Sequence, residues 1–116
     1  MHGHKDLMVW QKAMDLVTEI YRLTRTFPKE ELYGLTSQTR RAAVSIPSNI
    51  AEGHPLKQTL AYLRHLAVAS GSLAELQTQL EIADRLGYLK PENTKVLGQA
   101  DEFARMLAGL RRSLKA

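Results

Sequence analysis

Four histidines, His2, His4, His54 and His65, are the first residues of this chain whose type invites chemistry. Neutral imidazole is a common ligand for zinc and other transition metals. Their spacing argues against such a site. A carboxylate-bridged di-metal centre in a helical protein takes Glu-x-x-His pairs from facing helices, and the sequence has none. HExxH is missing as well. His2 and His4 fall in residues 1–6, expected to be a flexible N-terminus; His54 sits in a Gly-Pro turn and His65 on the polar side of a predicted helix. With no cysteine, the chain has no thiolate ligand, no thiol nucleophile and no disulfide. Ser45, Ser48, Ser70 and Ser72 lack the GxSxG context of a nucleophile elbow, and no GxxxxGK[ST] phosphate loop occurs. We expect no metal, no cofactor and no catalytic residue.

The stretch from Ala43 to Gly53, AVSIPSNIAEG, poses a sharper question. Its apolar residues recur at helical spacing, yet Pro47 stands in the middle with short polar side chains around it. An interior proline removes one helical hydrogen bond and crowds the carbonyl four residues earlier, at a cost of about 3 kcal/mol or more. Ser45, Ser48 and Asn49 are suited to bonding backbone groups freed in this way. Alternatively, Asn49 with Glu52 caps a separate short turn. One kinked helix is favoured over two. Ser45, Asn49 and Glu52 admit a functional reading as a recognition cluster, but the structural reading has the greater weight: a bend whose polar groups are satisfied locally or across helices.

Basic residues supply the remaining candidate chemistry. The 16 Lys and Arg against 12 Asp and Glu give a formal charge of +4, compatible with an acidic partner without requiring one. An antiparallel arrangement would gather Arg22, Arg25, Lys29, Arg40, Arg41 and Arg85 at one end of a bundle, as candidates for nucleic-acid binding. The alternative is a solvated face pairing with Asp15, Glu19, Glu30, Glu31 and Glu81 at helical spacings. Aromatic residues do not interleave with basic ones as in single-strand binders, so any binding should be backbone-driven and weakly sequence-selective.

The elements that must position these groups are four amphipathic helices. The first is predicted from about Leu7 to Thr26, with Asp6 as N-cap. Leu7, Trp10, Met14, Val17, Tyr21 and Thr24 form its stripe, widened by Ala13, Ile20 and Leu23; Phe27-Pro28 ends it. The second runs from about Leu35 to Glu52, with Leu35, Thr39, Ala42, Ile46 and Asn49 inward and Gly53 as a left-handed terminator. The third, about Leu56 to Leu86, carries Tyr62, Leu66, Ala69, Leu73, Leu76, Leu80 and Ala83. Leu60, Leu63, Ala67 and Ala74 broaden that face to about 160°, wider than one neighbour covers, so part of it is expected to meet another subunit. Gly87 closes this helix, and Pro91 introduces a fourth with Val96, Ala100, Phe103, Leu107, Leu110 and Leu114 inward. Acidic residues early and basic residues late in the fourth helix suit its dipole. Residues 7–116 therefore make one all-α domain, an antiparallel up-down-up-down four-helix bundle with a proline kink in its second helix. No apolar run approaches the ~18 residues of a membrane span, no signal-peptide core is visible, and the expected location is cytoplasmic.

Several of these stretches resemble one family pattern: Asp6-Leu7 with Trp10-Gln11-Lys12-Ala13, Phe27-Pro28 with Tyr33-Gly34-Leu35, Arg40-Arg41-Ala42-Ala43, and above all Ser45 to Gly53, SIPSNIAEG. Ala69 to Leu76 and Leu86-Gly87-Tyr88-Leu89 continue it. The pattern is that of proteins encoded in intervening sequences of bacterial 23S ribosomal RNA genes, to which the accessory variability protein of diversity-generating retroelements is similar. The resemblance implies a four-helix bundle, a homopentameric ring and, by analogy with the retroelement relative, binding of nucleic acid and a protein partner through a basic surface. For most members of that family no activity is established, and the absent catalytic motifs lead us to expect a non-enzyme.

Overall fold

The computed structural model describes residues 3–115. Those residues are all-helical, without a strand among them, and fill an envelope of 44 × 23 × 22 Å. The helices are α1 (Met8–Thr24), α2 (Leu35–Gly53), α3 (Leu60–Arg85) and α4 (Lys95–Lys115), with short 3-10 turns at His4–Asp6, Lys29–Glu31, His54–Leu56 and Pro91–Asn93. Each helix packs on its sequence neighbour, and α1 also packs on α4.

The core is built from one stripe per helix. Along α3, Tyr62, Leu66, Ala69, Leu73, Leu76, Leu80 and Ala83 are all buried, as their spacing predicts. Val96, Ala100, Phe103 and Leu107 follow suit on α4, whereas Leu110 is half-buried and Leu114 exposed near the helix end. Residues sealed completely, such as Ile20, Ile50, Leu66 and Leu76, contribute about 1.5–3 kcal/mol each. On α1 the buried column is Val9, Ala13, Leu16, Ile20 and Leu23. The predicted centre of that stripe was one column off: Met14 and Tyr21 lie at its edge, each 39% exposed. Two adjacent columns of α1 both satisfy helical spacing, and the partners α2 and α4 select between them.

Helix ends differ from expectation in physically readable ways. Leu7, in extended conformation, takes the N-cap position of α1, and Asp6 belongs to the preceding 3-10 turn. That turn holds to α1 through Gln11 Nε2 donating to the Lys5 carbonyl at 2.9 Å and through His4 set edge-on to Trp10, centroids 5.1 Å apart. His2 lies outside the described residues. α3 starts at Leu60, later than predicted, because Pro55 joins a 3-10 turn and the extended Thr59 precedes the helix. At its other end Gly87 is the chain's positive-φ residue (φ 78°) among those described. The Tyr88 N–H then reaches the Ala83 carbonyl at 2.9 Å, closing the helix as glycine permits.

Gly34 has a different use. The Glu31 carboxylate lies so close that a Cβ on Gly34 would sit 2.9 Å from Oε1. That oxygen accepts the Leu35 N–H at 3.1 Å and so satisfies a free donor at the start of α2.

Candidate functional site

α2 continues through Pro47 as a single helix, and Pro47 itself is buried. Proline leaves the Ala43 carbonyl without its helical donor. The polar neighbours turn elsewhere. Asn49 Nδ2 donates to the Ser45 carbonyl at 2.9 Å and lies 3.1 Å from Ser45 Oγ. Ser45 Oγ meets Ser72 Oγ on α3 at 2.7 Å, and Asn49 Oδ1 lies 3.2 Å from His65 Nδ1. Residue numbers thus rise along α2 as they fall along α3. His65 also stands 3.9 Å from Glu52, whose side chain is largely exposed. The result is a polar ladder across the α2–α3 seam, joining Ser72, Ser45, Asn49 and His65.

Gly53 completes that seam, but not as a left-handed terminator. Its φ of −79° and ψ of −27° are right-handed helical, and the chain passes directly into the His54–Leu56 turn. What glycine supplies is space: a Cβ at this point would fall 2.7 Å from His65 Cβ and 2.9 Å from Tyr62 Cδ1. Tyr62 is buried there, its phenol pushed above its ordinary pKa by loss of solvent. His65, placed on a polar face by sequence pattern alone, is half-buried in the seam. Only the pairing of α2 with α3 reveals its partner.

The ladder lacks the order of a nucleophilic triad. Asn49 stands between Ser45 and His65, so no described base touches either serine hydroxyl. A cleft of about 340 Å³ beside it is lined by Arg41, Ser45, Ser72, Glu75 and Gln79. Gln79 Oε1 is buried there without a hydrogen-bond partner. No cluster of three or more metal-ligating side chains occurs among the described residues.

The six basic candidates separate by environment. Arg22 pairs with Glu19, and Arg85 with Glu81 at 3.0 Å, each on its own helix. Arg40 bridges helices: its Nε donates to Thr24 Oγ1 at 2.8 Å, and its guanidinium lies 4.7 Å from the Tyr21 ring centroid. Such a cation held over an aromatic face is a packing element between α1 and α2. Arg25, Lys29 and Arg41 are exposed and have no acidic partner among the described residues. For Arg22 and Arg85 the alternative raised by the sequence, pairing with acids at helical spacings, is the one observed; Arg40's seat on Tyr21 needs α1 and α2 to meet.

At the same end, Tyr88 OH donates to Glu31 Oε2 at 2.9 Å, and Phe27 packs on the Tyr88 ring at 5.5 Å. Glu31 therefore ties the α1–α2 connection to the α3–α4 connection. The bond and the negative charge raise the Tyr88 pKa. At the other end, His54 is held below its ordinary pKa by burial first, then by the positive groups Lys57 and His4.

No match is found among curated proteins. Among solved structures, the chain is similar to a protein of unknown function from the S23 ribosomal protein family of Bacteroides thetaiotaomicron. The two are 20% identical over 90% of this chain and 98% of that one, with a TM-score of 0.81. At that identity the likeness concerns the fold. The family model described as 23S rRNA-intervening sequence protein matches residues 5–109, nearly the whole helical body described above, and the chain belongs to that family.

Proposed function

We propose that this protein is a non-enzymatic, homo-oligomeric module that binds the backbone of RNA or DNA through basic surface. In this reading it is an up-down-up-down bundle bent at Pro47, it works in the cytoplasm, and subunits associate through the apolar breadth of α3, with a pentameric ring as the family resemblance implies. The observation that carries the binding is the state of the cations: of the Lys and Arg, only Arg22 and Arg85 are ion-paired among the described residues. Arg40 is engaged by Thr24 and Tyr21. Exposed cations such as Arg25, Lys29, Arg41, Lys57, Arg64 and Arg112 are left to solvent and small counterions, which a polyanion displaces with a gain in entropy. Repetition around an oligomer multiplies the effect through effective concentration.

The test is light scattering for assembly mass, followed by RNA and DNA binding on the same sample across a salt series. Affinity is expected to fall steeply, with a log–log slope of about −0.7 to −0.9 per phosphate neutralised. An intact oligomer that shifts neither polymer at low salt defeats this reading.

A second reading, a scaffold for protein partners alone, draws on exposed apolar side chains of α3: Leu60 is 68% exposed and Val68 53%. It predicts no nucleic-acid affinity and a protein partner released by Val68→Glu. No described helix is long and apolar enough to cross a membrane.

A further inference from the structure

The excess positive charge is concentrated in one half of the bundle, and it is not the half that the six basic candidates occupy. Contacts fix the two halves. Gln77 of α3 bonds Asp101 of α4 at 2.9 Å. From that point α3 back to Arg64 and α4 forward to Leu114 each cover about 20 Å at 1.5 Å per residue, so both reach the same level. Leu16 of α1 shares a cavity wall with Phe103 and Met106 of α4, which sets the start of α1 at that level too. The turn after α2 joins them, for His54 lies edge-on to Tyr62, centroids 6.2 Å apart.

Residues 17–43 and 73–104, the half holding Arg22, Arg25, Lys29, Arg40, Arg41 and Arg85, contain eight Lys and Arg against nine Asp and Glu. Residues 3–16, 44–72 and 105–114 contain seven Lys and Arg against three Asp and Glu, together with His4, His54 and His65. A polyanion approaching the first half meets a balanced field; approaching the second, it meets a cationic one.

We infer that the phosphodiester backbone docks on the end formed by the start of α1, the α2–α3 turn and the close of α4, with Lys5, Lys57, Arg64, Arg111 and Arg112 as its contacts. This rests on the nucleic-acid reading above and moves its site to the opposite end of the bundle. Local observations agree. Lys57, Arg64 and Arg112 are exposed, and no acidic partner holds them among the described residues. Arg111 Nε is buried without a hydrogen-bond partner, a cationic donor for which the described protein atoms supply no acceptor. His54, held below its ordinary pKa first by burial and then by Lys57 and His4, marks where these basic side chains gather at this end.

The experiment compares two charge-reversal sets in the full-length protein, K57E/R64E/R112E and R25E/K29E/R41E, each checked for helicity and for oligomer mass. K57Q/R64Q/R112Q serves if reversal impairs folding. Binding of single-stranded RNA and duplex DNA is measured across a salt series. The first set is expected to bind at least about tenfold more weakly, with a salt slope shallower by about three, one for each phosphate contact removed. The second set is expected to stay within about twofold of wild type. Loss confined to the second set overturns this inference and leaves the nucleic-acid reading standing. A wild-type protein that binds neither polymer overturns both, and binding of poly-glutamate alone assigns the surface to an acidic protein instead.

Discussion

Gly53 and His65 approach so closely across the α2–α3 seam that one methyl group on Gly53 would lie 2.7 Å from His65 Cβ. The contact involves backbone and β-carbons, which cannot swing aside. Gly53 has ordinary helical dihedrals, so an alanine there suffers no φ strain and only a collision. Helix propensity favours alanine by about 1 kcal/mol, while overpacking costs about 1–3 kcal/mol. Gly53→Ala is therefore expected to destabilise the protein. Gly71 on α3 is the control, since a Cβ there meets nothing within 4 Å. Gly71→Ala should stabilise the protein by the propensity term, about 0.5–1 kcal/mol, read as a higher urea midpoint. Equal midpoints for Gly53→Ala and wild type would show that the seam yields.

Ser45 and Ser72 satisfy each other at 2.7 Å, with Ser72 only 7% exposed. Ser45→Ala leaves the buried Ser72 hydroxyl without its partner, a loss of about 1–3 kcal/mol, whereas Ser72→Ala costs less because Ser45 Oγ keeps Asn49 Nδ2 at 3.1 Å. Removing both avoids that orphan. The double variant Ser45→Ala/Ser72→Ala should lose less than the sum of the singles, with a coupling of at least about 0.5 kcal/mol in a denaturation cycle. Simple additivity would mean that solvent already serves the pair.

His54 makes stability depend on pH with a definite sign. Its folded pKa lies below the ordinary 6.5, so the unfolded chain takes up that proton first. Stability is expected to fall as pH drops through 6.5 and to stop falling, for this group, below the folded value. Urea midpoints at about pH 7.5 and 5.5 measure it. His54→Gln should reduce the drop. An unchanged pH profile in that variant would remove His54 from the account.

Tyr88 shifts oppositely. Its phenol bonds the Glu31 carboxylate, which raises its pKa, so the bond's contribution persists below about pH 10 and is lost as pH rises through the folded value. In an ultraviolet phenolate titration, Glu31→Gln should bring one late-ionising tyrosine back toward the ordinary range. The same variant weakens the carboxylate cap on the Leu35 N–H, so α2 should fray at its start, read by amide hydrogen exchange. A titration curve identical to wild type would mean that the two connections are not tied in solution.

Much of the helical body was legible in the chain. The α3 column from Tyr62 to Ala83 was read in full because its alternation is long, leaving one register that buries every large side chain. The α1 column was misplaced because two neighbouring columns pass the same test, and a helix does not know which side its partners take. The candidate site was less legible still. Ser45 and Asn49 stood out by type, but the direction of their bonds did not: they reach Ser72 and His65, 27 and 16 positions away.

By itself, the sequence determined four helices, the turns between them and the absence of thiol chemistry, since periodicity, proline and glycine act within a few residues. It favoured one helix through Pro47 over two, and the structure shows α2 continuous there. Tertiary structure alone decided that Gly53 provides clearance instead of a left-handed turn, that Glu31 joins two connections, and that Arg40 is held against Tyr21. It also decided which cations share an end with which acids. Backbone preferences are local, whereas clearance and electrostatic fields depend on residues far apart in the chain and close in space.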